Sequence, residues 1–429
     1  MAKRVAKPAS SPARRRRGAG DFHGEVGAVF GTVRRRLGAI VEGVCGGSPR
    51  AQDVTDAFGV YRKLGWQIWN VVYTDDPLAA TRYLPAQRSM RVWRAAAEAK
   101  GVAADALARL DEALGQFHQA VERHAGDREM LEVLVEAGGG GDGTPDEAAE
   151  ARWRKQAFAA NAFIWGVRAH RLLAVGVVAP STRAGYFDLL RIQGLFGLVR
   201  TRASVRWPFA QLFIRDRDGN PYQFDRRPLD EDAPAVRETG VPLLPDFCSR
   251  PLPPVQRSTN ARGVVEDELL PGPVGQRAAA NIVTGEILRE VAPLDESPGA
   301  VNNFGTGVRT PGELLVSDLL LHRDLLKGAQ RELCVFGELV TPLSRDERDR
   351  IPVADRLQAL GPAAERIATA DVPRYDELVA HAMSRVGWDM AAFDLYRVRM
   401  RYPPIPVSVV VRSTMPAGRN AGTTSRASS

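Results

Sequence analysis

Polar side chains between residues 61 and 70 are of the types that bind nucleic acids. Lys63, Gln67 and Asn70 follow one another at steps of four and three residues, which places them on one face if the segment is helical. Lysine pairs with guanine in the major groove of DNA, and the amide of glutamine or asparagine pairs with adenine. Tyr61 and Arg62, just before them, could hold phosphates. The spacing therefore predicts a helix that reads base pairs.

Two helices separated by Gly59 are predicted to position these side chains. Ser48 and Pro49 are expected to begin the first helix as its N-cap and first-turn residue. Gly59 permits the backbone turn with positive φ that ends this helix. The apolar faces of the two helices would comprise Val54, Ala57, Phe58, Leu64, Ile68 and Val71. Lys63, Gln67 and Asn70 would then lie on the opposite, solvent-facing side of the second helix.

This segment, residues 49–73, resembles the helix-turn-helix of bacterial transcription regulators of the lac repressor type. The residues that carry the resemblance are Asp53-Val54, Gly59-Val60 and Val71-Val72. The resemblance implies a DNA-binding regulator, with a second domain that senses a ligand or forms a homodimer so that two half-sites are bound.

Two tryptophans keep a different function open for the same segment. Trp66 and Trp69 need burial, and they are equally typical of a helix packed inside an all-helical domain. The protein would then be a non-enzymatic scaffold or interaction protein, in which the helix pair is a packing element.

The positive charge of the chain is concentrated at its N-terminus. Residues 1–40 hold ten bases and two acids, a charge of +8 against +7 for the whole chain. Arg14, Arg15, Arg16 and Arg17 lie in a segment of proline, serine and alanine without periodic apolar residues, which predicts a disordered arm. A basic arm attracts a polyanion by counterion release. The alternative is a solvated tail that only aids solubility.

The pattern of apolar residues predicts an α+β fold with an all-α N-terminal half. The expected organisation is a disordered basic arm at 1–20, an α-helical domain at 21–175, a largely antiparallel α+β domain at 176–415, and a disordered tail at 416–429. Further helices are predicted at 89–100, 103–124, 127–137, 144–170, 184–200 and 374–390, and β-hairpins at 204–225 and 281–291.

A second group of candidate side chains lies in the sequence DLLLHRD. His322 and Asp324 would share one face of a strand, with Asp318 nearby, and with a third ligand they could hold a metal ion. Charged residues at a strand edge are the alternative. Because no third ligand is identified, we predict no metal site, no cofactor and no catalytic residue. An enzyme with its site in residues 180–415 is nevertheless a second alternative function.

Three arginines near the first predicted hairpin, Arg200, Arg202 and Arg206, form another candidate site. They could bind an anion such as a phosphate or an acidic effector, and a solvated charged edge is the alternative.

Several protein classes lack support in the composition and motifs. No run approaches the ~18 apolar residues of a membrane span, and the basic N-terminus has no apolar segment behind it, so we expect a cytoplasmic protein. Cys45, Cys248 and Cys334 are too widely spaced for a zinc motif or a disulfide framework. The sequence contains no P-loop, GxSxG, HExxH or GxGxxG motif.

Overall fold

The computed structural model describes residues 22–137, 146–212, 225–259, 264–339 and 345–417. The chain divides into two compact units, Met1–Asp146 and Glu147–Ser429. The first unit is helical where it is described and the second contains the strands, so the predicted α+β class is confirmed. The basic arm and most of the C-terminal tail lie outside the described residues.

Seven helices build the described part of the first unit. They are α1 (Phe22–Cys45), α2 (Ala51–Phe58), α3 (Arg62–Tyr73), α4 (Pro77–Ala80), α5 (Gln87–Ala99), α6 (Ala104–His124) and α7 (Arg128–Ala137). The apolar stripe of α1 is buried against α2, α3 and α6 because its residues recur every three or four positions. The predicted helices at 89–100, 103–124 and 127–137 are confirmed to within two residues.

The second unit begins with a helix and continues mainly as β-strands. Its helices are α8 (Glu147–Trp165), α9 (Pro234–Thr239), α10 (Ala363–Arg366) and α11 (Tyr375–Val386). Its strands are β1 (Val167–Pro180), β2 (Tyr186–Arg200), β3 (Trp207–Leu212), β4 (Asp225–Pro228), β5 (Val255–Thr259), β6 (Val265–Leu269), β7 (Ala280–Pro293), β8 (Val301–Val308), β9 (Gly312–His322), β10 (Gln330–Gly337), β11 (Arg350–Ile351), β12 (Gln358–Pro362), β13 (Phe393–Arg401) and β14 (Val407–Thr414).

Three sheets contain the described strands. The largest has the order β12-β13-β9-β1-β2-β7-β4, the second β11-β10-β14-β8, and the third β3-β6-β5. β1 and β9 are parallel, and the other paired strands are antiparallel, as expected for a largely antiparallel domain. Tyr375, Leu378 and Val379 of α11 belong to the same buried cluster as Ile192 and Leu320 of the largest sheet. This helix therefore covers one face of that sheet.

Two helix predictions around the start of this unit are wrong. The helix predicted at 184–200 is strand β2, and the helix predicted to reach residue 170 ends at Trp165, before β1. β2 pairs with β1 on one side and with β7 on the other. A strand buried in the middle of a sheet carries a nearly continuous apolar run, which periodicity alone does not distinguish from a buried helix. The expected domain boundary at residue 175 consequently falls inside β1.

The hairpin predicted at 281–291 is also wrong, whereas most of the hairpin predicted at 204–225 lies outside the described residues. β3 pairs with β6, and β4 pairs with β7 in a different sheet. The Asp-Gly sequence predicted as the turn of the hairpin at 204–225 lies outside the described residues. Residues 281–291 belong to the single long strand β7.

Candidate nucleic-acid interface

The turn between α2 and α3 has the predicted geometry. Gly59 ends α2 with φ 64° and ψ 33°, in the left-handed region that glycine adopts without steric cost. Its N–H donates to the Asp56 carbonyl at 3.3 Å, and the Val60 N–H donates to the Thr55 carbonyl at 3.2 Å. These are the hydrogen bonds of a glycine-capped helix C-terminus. Three residues separate the two helices, and α3 starts at Arg62.

The start of α2 differs from the prediction. Arg50, and not Ser48, is the N-cap residue, and Pro49 lies outside the helix. The Arg50 N–H donates to Asp53 Oδ2 at 2.8 Å, and the Arg50 guanidinium binds the same carboxylate. The carboxylate in the first turn satisfies a backbone donor and interacts favourably with the helix dipole. The Asp53 carboxylate, and not a serine hydroxyl, therefore accepts the hydrogen bond at this end of the helix.

α2 and α3 pack most closely where Thr55 meets Gly65. A Cβ atom built on Gly65 would lie 2.1 Å from Thr55 Oγ1 and 2.9 Å from Thr55 Cα, so only glycine fits at this position. Leu64, Ile68 and Val71 of α3 are fully buried, which confirms the predicted inner face. The inner face sets the rotation of α3 and therefore decides which of its side chains face solvent.

The C-terminal end of α3 is held by Arg34 of α1. Arg34 Nε donates to the Val71 carbonyl at 2.9 Å, and its NH2 group donates to the Val72 carbonyl at 2.9 Å and to the Thr74 carbonyl. Burial lowers the pKa of Arg34 below its usual value. A cation at a helix C-terminus satisfies orphan carbonyls and interacts favourably with the dipole. The first arginine of the run 34–36 therefore positions α3.

The outer face of α3 carries the predicted polar side chains, with different degrees of exposure. Arg62 and Lys63 are exposed, and Gln67 and Asn70 are half-buried. Asn70 Nδ2 donates to the Trp66 carbonyl at 2.8 Å, so one of its two amide protons is engaged within the helix. α3 contains no acidic residue. Among the described residues neither Arg62 nor Lys63 has an ion-pair partner.

The two tryptophans of α3 are in different environments. Trp69 is half-buried and donates from Nε1 to the Pro49 carbonyl at 2.8 Å, as a packed tryptophan should. Trp66 is 46% exposed, so the expectation that it needs burial is wrong. Its ring contacts the edge of Tyr83, with centroids 5.4 Å apart. An aromatic surface thus lies beside Lys63 and Gln67 on the outer face.

The beginning of α5 contacts the start of α3. The Tyr61 hydroxyl donates to Ser89 Oγ at 3.0 Å, which brings the first turn of α5 next to the start of α3. Arg88 and Arg91 of α5 lie three residues apart, are exposed, and form no ion pair within the described part of the chain. The sequence predicted α5 as a helix, but nothing local indicated that its Ser89 would contact Tyr61. We name the outer side chains of α3 the basic face, comprising Arg62, Lys63, Trp66, Gln67 and Asn70.

The four arginines of the predicted basic arm are the other side chains expected to contact DNA. Arg14, Arg15, Arg16 and Arg17 lie outside the described residues.

The three arginines considered as an anion site in the second unit contact three different partners. Arg200 donates to the Leu270 carbonyl, and Arg202 donates to the Ile164 carbonyl. Arg206 binds Glu268 at 2.7 Å. Each guanidinium therefore has its own protein partner, and Arg206 is paired with a carboxylate as expected for a charged edge.

The DLLLHRD segment does not assemble a metal site. His322 Nδ1 accepts the Asp324 N–H at 3.2 Å, and the Asp324 carboxylate pairs with Lys327 at 2.9 Å. Asp318 is instead buried, where it accepts hydrogen bonds from Arg397 and from the Tyr375 hydroxyl. Across the described ranges no three His, Cys, Asp or Glu side chains are grouped as metal ligands.

Comparisons with known proteins do not identify a family. No family model matches the chain, and no curated protein matches it. A solved structure of a protease candidate from Parabacteroides distasonis aligns with 58% of this chain and 41% of that chain, at 11% identity and a TM-score of 0.22. The chain thus spans less than half the length of that structure, and the similarity is too low to indicate a shared fold. Within the described ranges, no helix combines the length and apolar character needed to cross a bilayer.

Proposed function

We propose that the helical unit binds duplex DNA and that the protein is a transcription regulator. α3 would enter the major groove, with Lys63, Gln67 and Asn70 contacting base edges and Arg62 contacting a phosphate. The second unit would sense a ligand or form the homodimer that places two copies of α3 on two half-sites.

The types of side chain on the outer face of α3 are the observation that carries this proposal. Two cations without carboxylate partners and two amides lie on a helix that contains no acid. A solvated helix face of a stable domain usually mixes both signs of charge. An unbalanced positive face instead attracts a polyanion, and its amides supply hydrogen bonds that depend on the base sequence.

The contacts that fix the position of α3 also favour sequence-specific DNA recognition over nonspecific electrostatic binding. The Thr55–Gly65 contact and the Arg34 hydrogen bonds hold both ends of the helix. Base readout requires side chains held in a defined position, and sites on rigid elements meet this requirement better than sites on loops.

Arg88 and Arg91 of α5 extend the proposed contacts along the DNA backbone. They are exposed side chains of the helix that contacts the start of α3 through the Tyr61–Ser89 hydrogen bond. Their role would be to hold phosphates and fix the orientation of α3, without reading the sequence. The arm that contains Arg14–Arg17 would add nonspecific affinity in the same way.

A protein partner is the competing function for this surface, and the exposure of Trp66 favours it. Exposed aromatic side chains next to arginines are typical of protein interfaces. An acidic protein would bind the basic face without preference for any DNA sequence.

Selection from a random duplex pool with the full-length protein tests the proposal. We expect the protein to enrich a sequence at moderate salt, and Lys63→Ala/Gln67→Ala to weaken binding to it by about 1–3 kcal/mol per base contact removed. Lys100→Ala is the matched control, because Lys100 is another exposed lysine of the helical unit. Equal affinity of wild type and the double variant would remove the base contacts assigned to α3. Failure to enrich any sequence would favour the protein partner.

A further inference from the structure

A small cavity of about 210 Å³ lies at the end of β9, and four of its ten lining residues carry side-chain nitrogens. His322, Arg323, Lys327 and Arg331 line it, and Asp394 is the acid among its lining residues. Three residues of DLLLHRD, Leu321, His322 and Arg323, therefore line a cavity together with the turn that follows, although the segment does not form a metal site. This cavity lies in the second unit and is independent of the basic face.

Arg331 provides the charge of the cavity. Its NH1 and NH2 groups donate to the carbonyls of Ala329 at 3.2 Å and Leu326 at 3.1 Å, and its guanidinium lies 4.9 Å from the centroid of the Tyr396 ring. Arg331 Nε is buried and has no hydrogen-bond acceptor among the described residues. The acceptors of Arg331 are thus neutral carbonyls, and no carboxylate in the described part of the chain balances its charge.

The other two cationic side chains that line the cavity, Arg323 and Lys327, are each paired with a carboxylate. The positive charge of Arg331 is therefore the one left unbalanced by an ion pair among the described residues. Arg323 binds Asp394 at 3.1 Å and Lys327 binds Asp324 at 2.9 Å. Glu296 accepts the Leu326 N–H at 2.7 Å, which fixes the turn, and it does not line the cavity.

His322 adds a hydrogen-bond donor. Its Nδ1 accepts the Asp324 N–H, so Nε2 is the ring nitrogen that can donate to a ligand. A hydrogen-bond donor and an unbalanced guanidinium that line the same cavity are complementary to an oxyanion.

We propose that this cavity binds a small oxyanion, either a phosphate or a carboxylate. The volume is below the ~300–1,000 Å³ of pockets that enclose drug-sized ligands, so the ligand is an ion or a short acid. Arg331 would neutralise it, His322 would donate one hydrogen bond, and Lys327 would contact it at the rim. Such a site would give the second unit a ligand, whether or not the helical unit binds DNA.

Isothermal titration calorimetry of the full-length protein with inorganic phosphate and with succinate tests this proposal. Ionic strength is held constant with sodium chloride, so that general screening contributes equally to each titration. We expect saturable binding of at least one of the two anions. The anion that binds more tightly identifies the ligand as a phosphate or a carboxylate.

Two variants locate the bound anion. Arg331→Gln should abolish binding, and Lys327→Ala should weaken it roughly fivefold because Lys327 lies at the exposed rim. The Lys327 variant keeps the test valid if the Arg331 variant does not fold. Arg348→Ala is the matched control, since Arg348 is also exposed and paired with a nearby aspartate, Asp346. Absence of binding by the wild type, or an equal loss in the Lys327 and Arg348 variants, would overturn the proposal.

Discussion

Thr55 lies so close to Gly65 that a Cβ atom on residue 65 would be 2.1 Å from Thr55 Oγ1. Gly65→Ala must therefore push α2 and α3 apart. We expect it to lower the free energy of unfolding of the helical unit by about 1–3 kcal/mol, the usual effect of overpacking. Hydrogen exchange of the full-length protein, read on peptides from α2 and α3, should show faster exchange than in the wild type.

Gly115→Ala is the control for this substitution. Gly115 lies inside α6, and no described atom is within 4 Å of the place its Cβ would take. Replacing an unhindered helix glycine by alanine should stabilise the protein by up to about 1 kcal/mol. The two variants should thus change exchange in opposite directions. If Gly65→Ala also slowed exchange, the close packing of α2 on α3 would be wrong.

Arg34→Ala should loosen the C-terminal turn of α3. The variant leaves the carbonyls of Val71 and Val72 without the guanidinium that binds them. Hydrogen bonds to a charged group contribute about 1.5–3 kcal/mol, so we expect a loss of stability in that range. Urea unfolding and hydrogen exchange at the end of α3 would measure it. Arg36→Ala, at an exposed neighbour, should change stability by less than about 0.5 kcal/mol. Equal effects of the two substitutions would contradict the capping role.

Deleting residues 1–20 should change the salt dependence of DNA binding more than its sequence preference. The arm holds seven bases, and each phosphate contact it makes adds about 0.9 to the slope of log affinity against log salt. The sequence preference should persist if α3 supplies it. Binding measured across a salt series with full-length and truncated protein tests both expectations. Loss of all binding on truncation would mean that α3 is a packing element.

Glu286 should make the second unit sensitive to acid. It is 2% exposed and binds Arg191 at 2.6 Å and also Arg226. Burial by itself raises the pKa of Glu286, but the charges of Arg191 and Arg226 outweigh this effect, so the pKa is lower than its usual value of 4.5. A carboxylate whose pKa is lowered on folding stabilises the protein above its unfolded pKa. This stability is lost as the pH falls from about 4.5 through the folded pKa.

Glu286→Gln tests this expectation. The variant leaves the two arginines without their carboxylate and should lose about 3–5 kcal/mol at neutral pH, the cost of breaking a buried ion pair. It should also flatten the fall in stability below about pH 4.5. Urea unfolding of the full chain in pH steps measures both effects, with the exposed Glu365→Gln as control. An unchanged pH profile in the Glu286 variant would contradict the assignment.

The local sequence pattern was sufficient to predict the inner face of α3 and the turn that precedes it. The three- and four-residue steps of Leu64, Ile68 and Val71 predicted the inner face of α3, and Gly59 predicted the turn before it. These features depend on backbone geometry within one or two turns of helix, so neighbouring residues specify them. The exposure of Lys63 follows from the same periodicity.

Long-range packing decided the features that sequence reasoning missed. The Leu-rich segment 184–200 is a strand because β1 and β7 pair with it from both sides, and those partners lie up to a hundred residues away. The position of Arg34 against α3 and that of Ser89 beside Tyr61 depend in the same way on how α1 and α5 pack.

The sequence by itself determined the α+β class, the two helices separated by Gly59 and the polar face of α3, because each depends on side chains close together along the chain. The tertiary structure alone decided which arginines are structural and which are exposed, and it placed His322 and Arg331 around one cavity. A side chain's partner on another element is set by the packing of buried surfaces and not by its neighbours in sequence. Identical arginines therefore have different roles, depending on whether the fold brings a carbonyl, a carboxylate or solvent to them.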